Sequence, residues 1–511
     1  MAKRVVIVGG VAGGMSAATR MRRLDEHASI IIFERGHHVS FANCGLPYYL
    51  GGEITERSKL LVQTPQKLRD AFNLDVRVQQ EVLAIDREKK EVEVKDLSTG
   101  RTYREPYDAL ILAAGAAPLT PPIPGLKREG HFTLRNLEDT DHIHAWCGRK
   151  DVLRAVVVGA GFIGLEMAEQ LVHRGMEVTI VELLPQVLAP LDPDMVGPIH
   201  TELKKHGVRL FLGDKVERFE DPTQDAVAST VVLGSGAHLP ADVVILGLGV
   251  RPESKLAKDA GLTLGERGGV RVDADMRTSD PAIWAVGDMV EVLDPVTGQT
   301  GMVPLAGPAN RQGRLAADSI AGRAGKYPGT QGTAIVRVFE LVAASTGANA
   351  KTLTRLNRPF QALHLYPNSH AGYYPGAKSI HLKILFDPSS GKLLGAQAVG
   401  SDGVDKRIDV LATAFRFGAT VHDLADLELA YAPPFGSAKD PVNLAGMAAQ
   451  NVLAGDVAVV QWNEVDALQK AGVGLLDVRE QAERDRGAIP DSLHIPLGQL
   501  RSRLGELDPT R

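Results

Sequence analysis

The chain has little cysteine: Cys44 and Cys147 are the only two in 511 residues. Two thiols cannot build a disulfide framework, so a reducing, cytoplasmic setting is expected. Long apolar runs are also missing. The run Val5-Val-Ile-Val8, after Met1-Ala-Lys-Arg4, is cut off by Gly9 and Gly10. It is too brief for the apolar region of a signal peptide. No stretch reaches the roughly 18 apolar residues of a membrane-spanning helix, so a soluble protein with no membrane partner is expected. An excess of positive charge is lacking too. With 57 basic and 62 acidic residues the net charge is -5, which gives no electrostatic case for nucleic acid. What is present is an ordinary globular balance, 44% hydrophobic and 23% charged, over a length that calls for about two to four domains.

Two glycine-rich turns organise the first half. Arg4–Val8 is a β-branched run that enters Gly9-Gly10-Val11-Ala12-Gly13-Gly14. A small-residue helical pattern, Met15–Leu24, follows, then the apolar run Ser29–Phe33 and the acid Glu34, with Arg35 beside it. Strand, glycine turn, helix, strand and acid make the dinucleotide-binding pattern. The glycines let backbone N–H groups approach a pyrophosphate at a helix N-terminus, and the acid accepts from a ribose. One position departs: Val11 stands where the middle glycine belongs.

The second copy is complete. Ala155–Val158 leads into Gly159-Ala-Gly161-Phe162-Ile163-Gly164, then a helix over 165–174, Val178–Val181 and Glu182. Glu182 lies 23 residues after Gly159, near the usual spacing of about 20. Leu183, Leu184 and Pro185 follow it, with no cation for a 2′-phosphate, which favours NAD(H) over NADP(H). Two such sites in one chain imply a resident FAD on the first and an exchanging nicotinamide on the second. Tyr107–Gly115 then reads as a strand whose small residues, Ala113 and Gly115, return the chain close to the dinucleotide. Asp280–Asp288 reads as another, ending in a carboxylate for the flavin's ribityl hydroxyls.

Cys44 lies between the two copies, in Ser40-Phe-Ala-Asn43-Cys44-Gly-Leu-Pro-Tyr-Tyr-Leu-Gly-Gly52. A thiol on a loop that opens a helix is expected to have its pKa lowered, favouring thiolate; the other reading is a small buried residue. No second thiol lies nearby, since Tyr49 stands five positions on. Cys147 falls in the segment before the second glycine turn and is read as structural.

In this order the motifs resemble the flavoprotein disulfide reductases with two dinucleotide domains, over about residues 1–450. The Ser40–Tyr49 string is similar to the coenzyme A-disulfide reductase and persulfide reductase branch. The resemblance implies FAD, NADH and an active homodimer. It also implies a fold of two Rossmann-like α/β domains, FAD-binding over 1–150 and 270–325 and NAD(H)-binding over 151–269, with an α+β dimerisation domain over 326–450. Runs at Ala334–Phe339, Gln361–Tyr366, Ile380–Phe386 and Leu393–Val399 read independently as an antiparallel sheet, with helices at 403–417 and 421–427.

Carried onto this chain, the family pattern makes Cys44 a single redox thiol that cycles as a mixed disulfide, persulfide or sulfenic acid. Tyr431 and one of Tyr373 and Tyr374, with Tyr373 favoured, become phenols reaching the partner's sulfur. Phe162 and Glu166 flank the nicotinamide. Ser16, Arg20, Arg23, Ser40, Asn43 and the partner-borne Lys439 meet a coenzyme A substrate, the three cations suiting its phosphates. No metal site is expected. The oxidase and peroxidase branch carries a histidine in the first glycine turn; Ala12 occupies that place here. An NADH oxidase or peroxidase of the same fold and a redox-sensing or protein-docking flavoprotein are the alternatives.

Leu475-Leu-Asp-Val-Arg-Glu480 and Gly487-Ala-Ile-Pro-Asp-Ser-Leu-His-Ile-Pro496 resemble the front half of a rhodanese domain, giving a partial rhodanese-like α/β tail over 456–511. The sulfur-carrying cysteine loop of the back half is not among these residues, so no second active site is expected. About 55 residues bury too little area to close a sheet, and the tail is expected to be poorly packed. Its resemblance to a sulfane-sulfur enzyme tilts the expected substrate toward a persulfide or polysulfide.

Overall fold

A computed structural model of the chain describes residues 3–223 and 226–508. Arg4–Val8 is the centre of a five-stranded parallel sheet in the order Ile283–Ala285, Ala109–Leu112, Arg4–Val8, Ser29–Glu34, Asp75–Val78. Val5, Val6, Ile7 and Ile32 are wholly buried. Central parallel strands are covered on both faces, which is why these read as continuous rather than alternating apolar runs. The strand from Ile283 to Ala285 joins this sheet from beyond the whole second repeat.

The second sheet repeats the plan, also five-stranded and parallel: Arg209–Leu212, Glu177–Glu182, Arg154–Val158, Val243–Leu246, His131–Phe132. Its last strand moves a boundary. The first domain is expected to run to residue 150, yet His131–Phe132 pairs with Val243–Leu246, and Ile143 and Cys147 of the helix Leu137–Cys147 pack in the core around the second sheet. Cys147 therefore ends a helix. Each sheet carries a three-stranded antiparallel meander before its closing strand, at 80–106 and 216–241. Beyond the closing strands, Ala116–Pro118 and Val250–Pro252 pair antiparallel and tie the two repeats together.

From Ala334 an antiparallel five-stranded sheet follows, in the order Ala334–Val338, Leu341–Gly347, Leu393–Gly400, Ile380–Phe386, Gln361–Leu365. Leu393–Gly400 is buried at every residue. The helices Val404–Arg416 and Val421–Asp426 match the expected stretches within a residue or so. The compact body ends at Gly446, inside the helix Pro441–Ala454.

The tail is a separate unit and is thinly built. Its sheet is one parallel pair, Leu476–Asp477 with Leu493–His494, and within 456–508 only Ile495 and Pro496 are buried. Asp477 is held by Arg479 at 2.8 Å and Arg484 at 3.1 Å, while Trp462, Leu497 and Leu504 stay exposed. Among the described residues, no helix is long and apolar enough to cross a membrane.

Candidate active site

The first glycine turn is shaped by close backbone approach. Gly9 has φ +105° and a Cβ there would stand 2.2 Å from the Ala113 carbonyl oxygen; a Cβ on Gly14 would stand 1.9 Å from that of Gly9. Only glycine fits either place. The Gly10 and Gly36 amides donate to the two oxygens of Glu34 at 2.9 and 2.8 Å, so the acid braces the turn, keeping a lone pair on each oxygen for a ribose. Ala12 opens the 13-residue helix Ala12–Leu24, which has no side-chain cap. Its first-turn N–H groups are thus left for a ligand, as a pyrophosphate site requires. Gly13 packs on Val286, and Gly115, at φ +71°, faces open space. Burial pushes the Asp288 carboxyl upward, as fits an acceptor kept for hydroxyls. This donor set fits FAD. Arg35 is instead engaged with Glu253 at 3.1 Å.

The second turn reproduces the first. A Cβ on Gly159, at φ +101°, would stand 2.3 Å from the Gly247 carbonyl oxygen, and one on Gly164 2.0 Å from that of Gly159. Glu182 takes the Ala160 amide at 2.7 Å and the Leu184 amide at 2.8 Å. The helix Phe162–His173 is also uncapped. Gly161 has no protein atom within 4 Å of an added Cβ, so the space above it is open to a nucleotide. Ile163, Leu183 and Leu184 are exposed, with no cation among them.

The Cys44 stretch is fastened to the first turn, the Ser40 amide donating to the Gly10 carbonyl at 2.8 Å. Ser40 itself takes φ +47°. A 3₁₀ turn, Asn43–Gly45, runs into the helix Leu46–Gly51, with Gly52 closing it at φ +87°. Cys44 reaches the surface, but the atoms crowded around its sulfur push the thiol up, not down, followed by the charges of Glu166 and Asp288, against one backbone hydrogen bond. The direction is opposite to the expected lowering because crowding of the sulfur and the charges of Glu166 and Asp288 outweigh the one backbone hydrogen bond. Cys147 is buried and its thiol is pushed up to about 11, chiefly by burial.

Tyr373 and Tyr431 are brought together, their hydroxyls 3.0 Å apart and both rings exposed. Tyr374 turns edge-on to His370 instead. The two loops share an anchor: the buried Arg407 guanidinium donates to Asp440 at 2.9 Å and to the Ser369 carbonyl at 2.8 Å. Lys439, next to Asp440, is exposed. Among the described residues, no hydrogen bond links the tyrosine pair to Cys44 of the same chain. Arg20 corrects the picture of a free cation, because it is paired with Asp318 of the helix Ala306–Ile320 at 2.6 Å. Ser16 donates to Asn310 of that helix at 2.7 Å. Arg23 lies over the Phe72 ring, 5.3 Å from its centroid. Tyr48 and Arg337, which meet Glu166 and Glu169, were not singled out from the sequence; the signal was the four-residue spacing of Cys44 and Tyr48.

Residues 3–313 match the profile of the pyridine nucleotide-disulphide oxidoreductases, and residues 333–441 that family's dimerisation domain. The chain belongs to this family. As a pyridine nucleotide-disulphide oxidoreductase it is an enzyme that uses FAD and NAD(P)H. It is 37% identical over 452 residues to the coenzyme A disulfide reductase of Staphylococcus epidermidis, covering 88% of this chain and all of that one. The solved Bacillus anthracis CoADR-RHD is 51% identical, with a TM-score of 0.97, over 99% of this chain and 91% of that one. A NAD-dependent persulfide reductase from A. fulgidus is 38% identical, with a TM-score of 0.93, over 99% and 93%. The water-forming NADH oxidase of Lactobacillus brevis is 28% identical, with a TM-score of 0.85, over 89% and 100%.

Proposed function

We propose that this oxidoreductase reduces coenzyme A disulfide, coenzyme A persulfide or polysulfide with NADH, through Cys44 as its one redox thiol, in a cytoplasmic homodimer. The observation that carries the reading is the isolation of Cys44. The only other cysteine is buried in the core of the second dinucleotide domain, which removes the dithiol cycle. The names of the relatives at 37% to 51% identity support the same substrates.

When bound, FAD accepts a hydride from NADH and supplies the electron pair that reduces sulfur. Gly9, Gly10, Ala12, Gly13, Gly14, Glu34 and Asp288 would hold it; Gly159, Gly161, Phe162, Gly164 and Glu182 would hold the nicotinamide dinucleotide. The Cys44 thiolate attacks one sulfur of the disulfide, forming a mixed disulfide and expelling the first thiolate. Two electrons then break that S–S bond, expelling the second thiolate and restoring Cys44. Over the cycle one NADH and one proton convert one disulfide to two thiols. Tyr373 and Tyr431, hydrogen-bonded to each other and exposed, are suited to protonate the expelled sulfur across the dimer. Lys439 and Arg23 would meet the phosphates of coenzyme A, with Arg20 shared with Asp318; we assign Ser16, Ser40 and Asn43 to the same substrate.

Steady-state NADH oxidation with each sulfur acceptor and with oxygen, for the wild type and Cys44→Ser, tests this reading. Acceptor-dependent turnover lost in Cys44→Ser is the expected result. Oxygen consumption stoichiometric with NADH and indifferent to coenzyme A persulfide favours the oxidase reading instead, to which the Lactobacillus brevis fold is similar.

A further inference from the structure

The two phenols that meet at 3.0 Å stand on two loops of different origin. Tyr373 lies between the strands Gln361–Leu365 and Ile380–Phe386, and Tyr431 between the helices Val421–Asp426 and Pro441–Ala454. Neither tyrosine is in a helix or a strand, so tertiary contacts must set the distance between them. A backbone bond ties the loops, the Ala371 amide donating to the Gly436 carbonyl at 2.9 Å. Arg407, from the helix Val404–Arg416, adds a side-chain tie. Its Nη2 donates to the Ser369 carbonyl at 2.8 Å and to Asp440 Oδ2 at 2.9 Å, and its Nε to Asp440 Oδ1 at 3.3 Å. One planar fork thus holds a carbonyl of the first loop and both carboxylate oxygens at the end of the second. Arg407 is 1% exposed and Asp440 3%. Gly403, at φ +70°, leaves the room, since a Cβ there would stand 2.3 Å from Arg407 Nη1. Burying such an ion pair gains little over apolar packing of the same volume. What the guanidinium adds is a fixed spacing between Ser369 and Asp440.

We propose that Arg407 is a positioning residue for the tyrosine pair, setting the gap between Tyr373 and Tyr431 by gripping both loops with one guanidinium. The inference rests on the reading of that pair as the proton source for the partner's expelled sulfur. The neck of the first loop is closed by the Ser369 amide, which donates to the Lys378 carbonyl at 2.7 Å. A grip on Ser369 therefore carries the Tyr373 loop as a unit. Asp440 has a second hold, its Oδ1 accepting from the Val442 amide at 3.1 Å at the start of the helix Pro441–Ala454. The end of the second loop, with Lys439, thus keeps its place when Arg407 is changed, and the first loop is the one released. A lysine there keeps the charge beside Asp440, but one nitrogen on a flexible stem does not reproduce the fork. Arg407→Lys keeps the charge and loses the spacing.

The test is steady-state turnover of coenzyme A disulfide by the full-length, FAD-loaded protein, with flavin reduction by NADH followed separately in a stopped flow. Arg407→Lys is expected to lower kcat about tenfold while KM for the disulfide moves less than about twofold. Flavin reduction by NADH should keep its wild-type rate. In the Tyr373→Phe/Tyr431→Phe background the same substitution should add nothing, since residues acting through one another are not additive; a general loss of stability would still show there. Should Arg407→Lys lose its flavin or its dimer, Asp440→Asn, which keeps the shape of the carboxylate, takes its place with the same expectations. A kcat that stays at the wild-type value overturns the proposal, and so does a loss that persists undiminished without the two phenols. Wild-type turnover in Tyr373→Phe/Tyr431→Phe overturns the tyrosine reading itself, and the proposal with it; a loss there beside an unchanged Arg407→Lys overturns the proposal alone.

Discussion

The two dinucleotide repeats use the same backbone and differ in what stands over it and what each is fastened to. In both, the first and last glycines of the turn meet a carbonyl oxygen where a Cβ would clash, and an acid braces the turn. The middle place differs. Gly161 looks into open space, whereas the corresponding residue of the first turn is Val11, which precedes the helix Ala12–Leu24. The outer glycines serve the protein's own packing, and the middle one serves the ligand. A resident cofactor and an exchanging one can therefore tolerate different residues at that point.

The anchors differ as well. The first repeat is joined to the helix Ala306–Ile320 at very short range, a Cβ on Gly313 standing 2.1 Å from the Gly13 carbonyl oxygen, with the Ser16–Asn310 and Arg20–Asp318 pairs alongside. The second is joined to the dimerisation sheet by buried charge. Lys383 lies between Asp192 at 3.0 Å and Asp194 at 2.7 Å, and Asp192 also accepts from Gln397 at 2.7 Å.

The largest effect is expected at that second anchor. Lys383→Met removes the cation shared by the buried Asp192 and the half-buried Asp194, leaving Asp192 to Gln397 and Asp194 to His364, and should destabilise the protein by about 3 kcal/mol, read as a lowered unfolding transition at neutral pH. Burial pushes Asp194 up, but hydrogen bonds from His364 and Lys383 outweigh it and hold its carboxyl at about 2. A carboxyl depressed on folding stabilises above its unfolded value near 3.8 and loses that contribution as pH falls toward the folded value. The wild type should thus lose about 2 kcal/mol between roughly pH 4 and pH 2, and Lys383→Met less. Next come the shared glycines: Gly14→Ala and Gly164→Ala should each cost about 3 kcal/mol through overpacking, measured by chemical unfolding, with equal damage in the two repeats. The middle position should separate them. Gly161→Ala is expected to change stability by no more than about 0.5 kcal/mol while raising KM for NADH, and Val11→Gly to leave FAD retention unchanged; equal effects on the two cofactors would remove the distinction drawn between the repeats.

Strands, turns and acids of both repeats were legible in the sequence because each rests on local chemistry: a glycine with positive φ, an apolar run, an acid at a fixed spacing. The dimerisation sheet was legible for the same reason. His131–Phe132 was not, since a two-residue strand has no periodicity and its place is set by pairing with Val243–Leu246. The direction of the Cys44 shift was missed because Glu166 and Asp288 are more than 100 positions away in the chain and meet it only in the fold. Arg20 looked like a free cation because Asp318, its partner, lies on a helix almost 300 residues later. The tail, expected to pack poorly, keeps one short strand pair and two buried residues within 456–508.

The central claim is that one thiol does the redox work between the two repeats. It is tested most directly by Cys44→Ser with FAD retained, assayed for NADH oxidation with coenzyme A disulfide and with coenzyme A persulfide. The account predicts that acceptor-dependent turnover falls to background, while NADH still bleaches the flavin absorbance at the wild-type rate. Turnover of either acceptor at a rate near that of the wild type would contradict it.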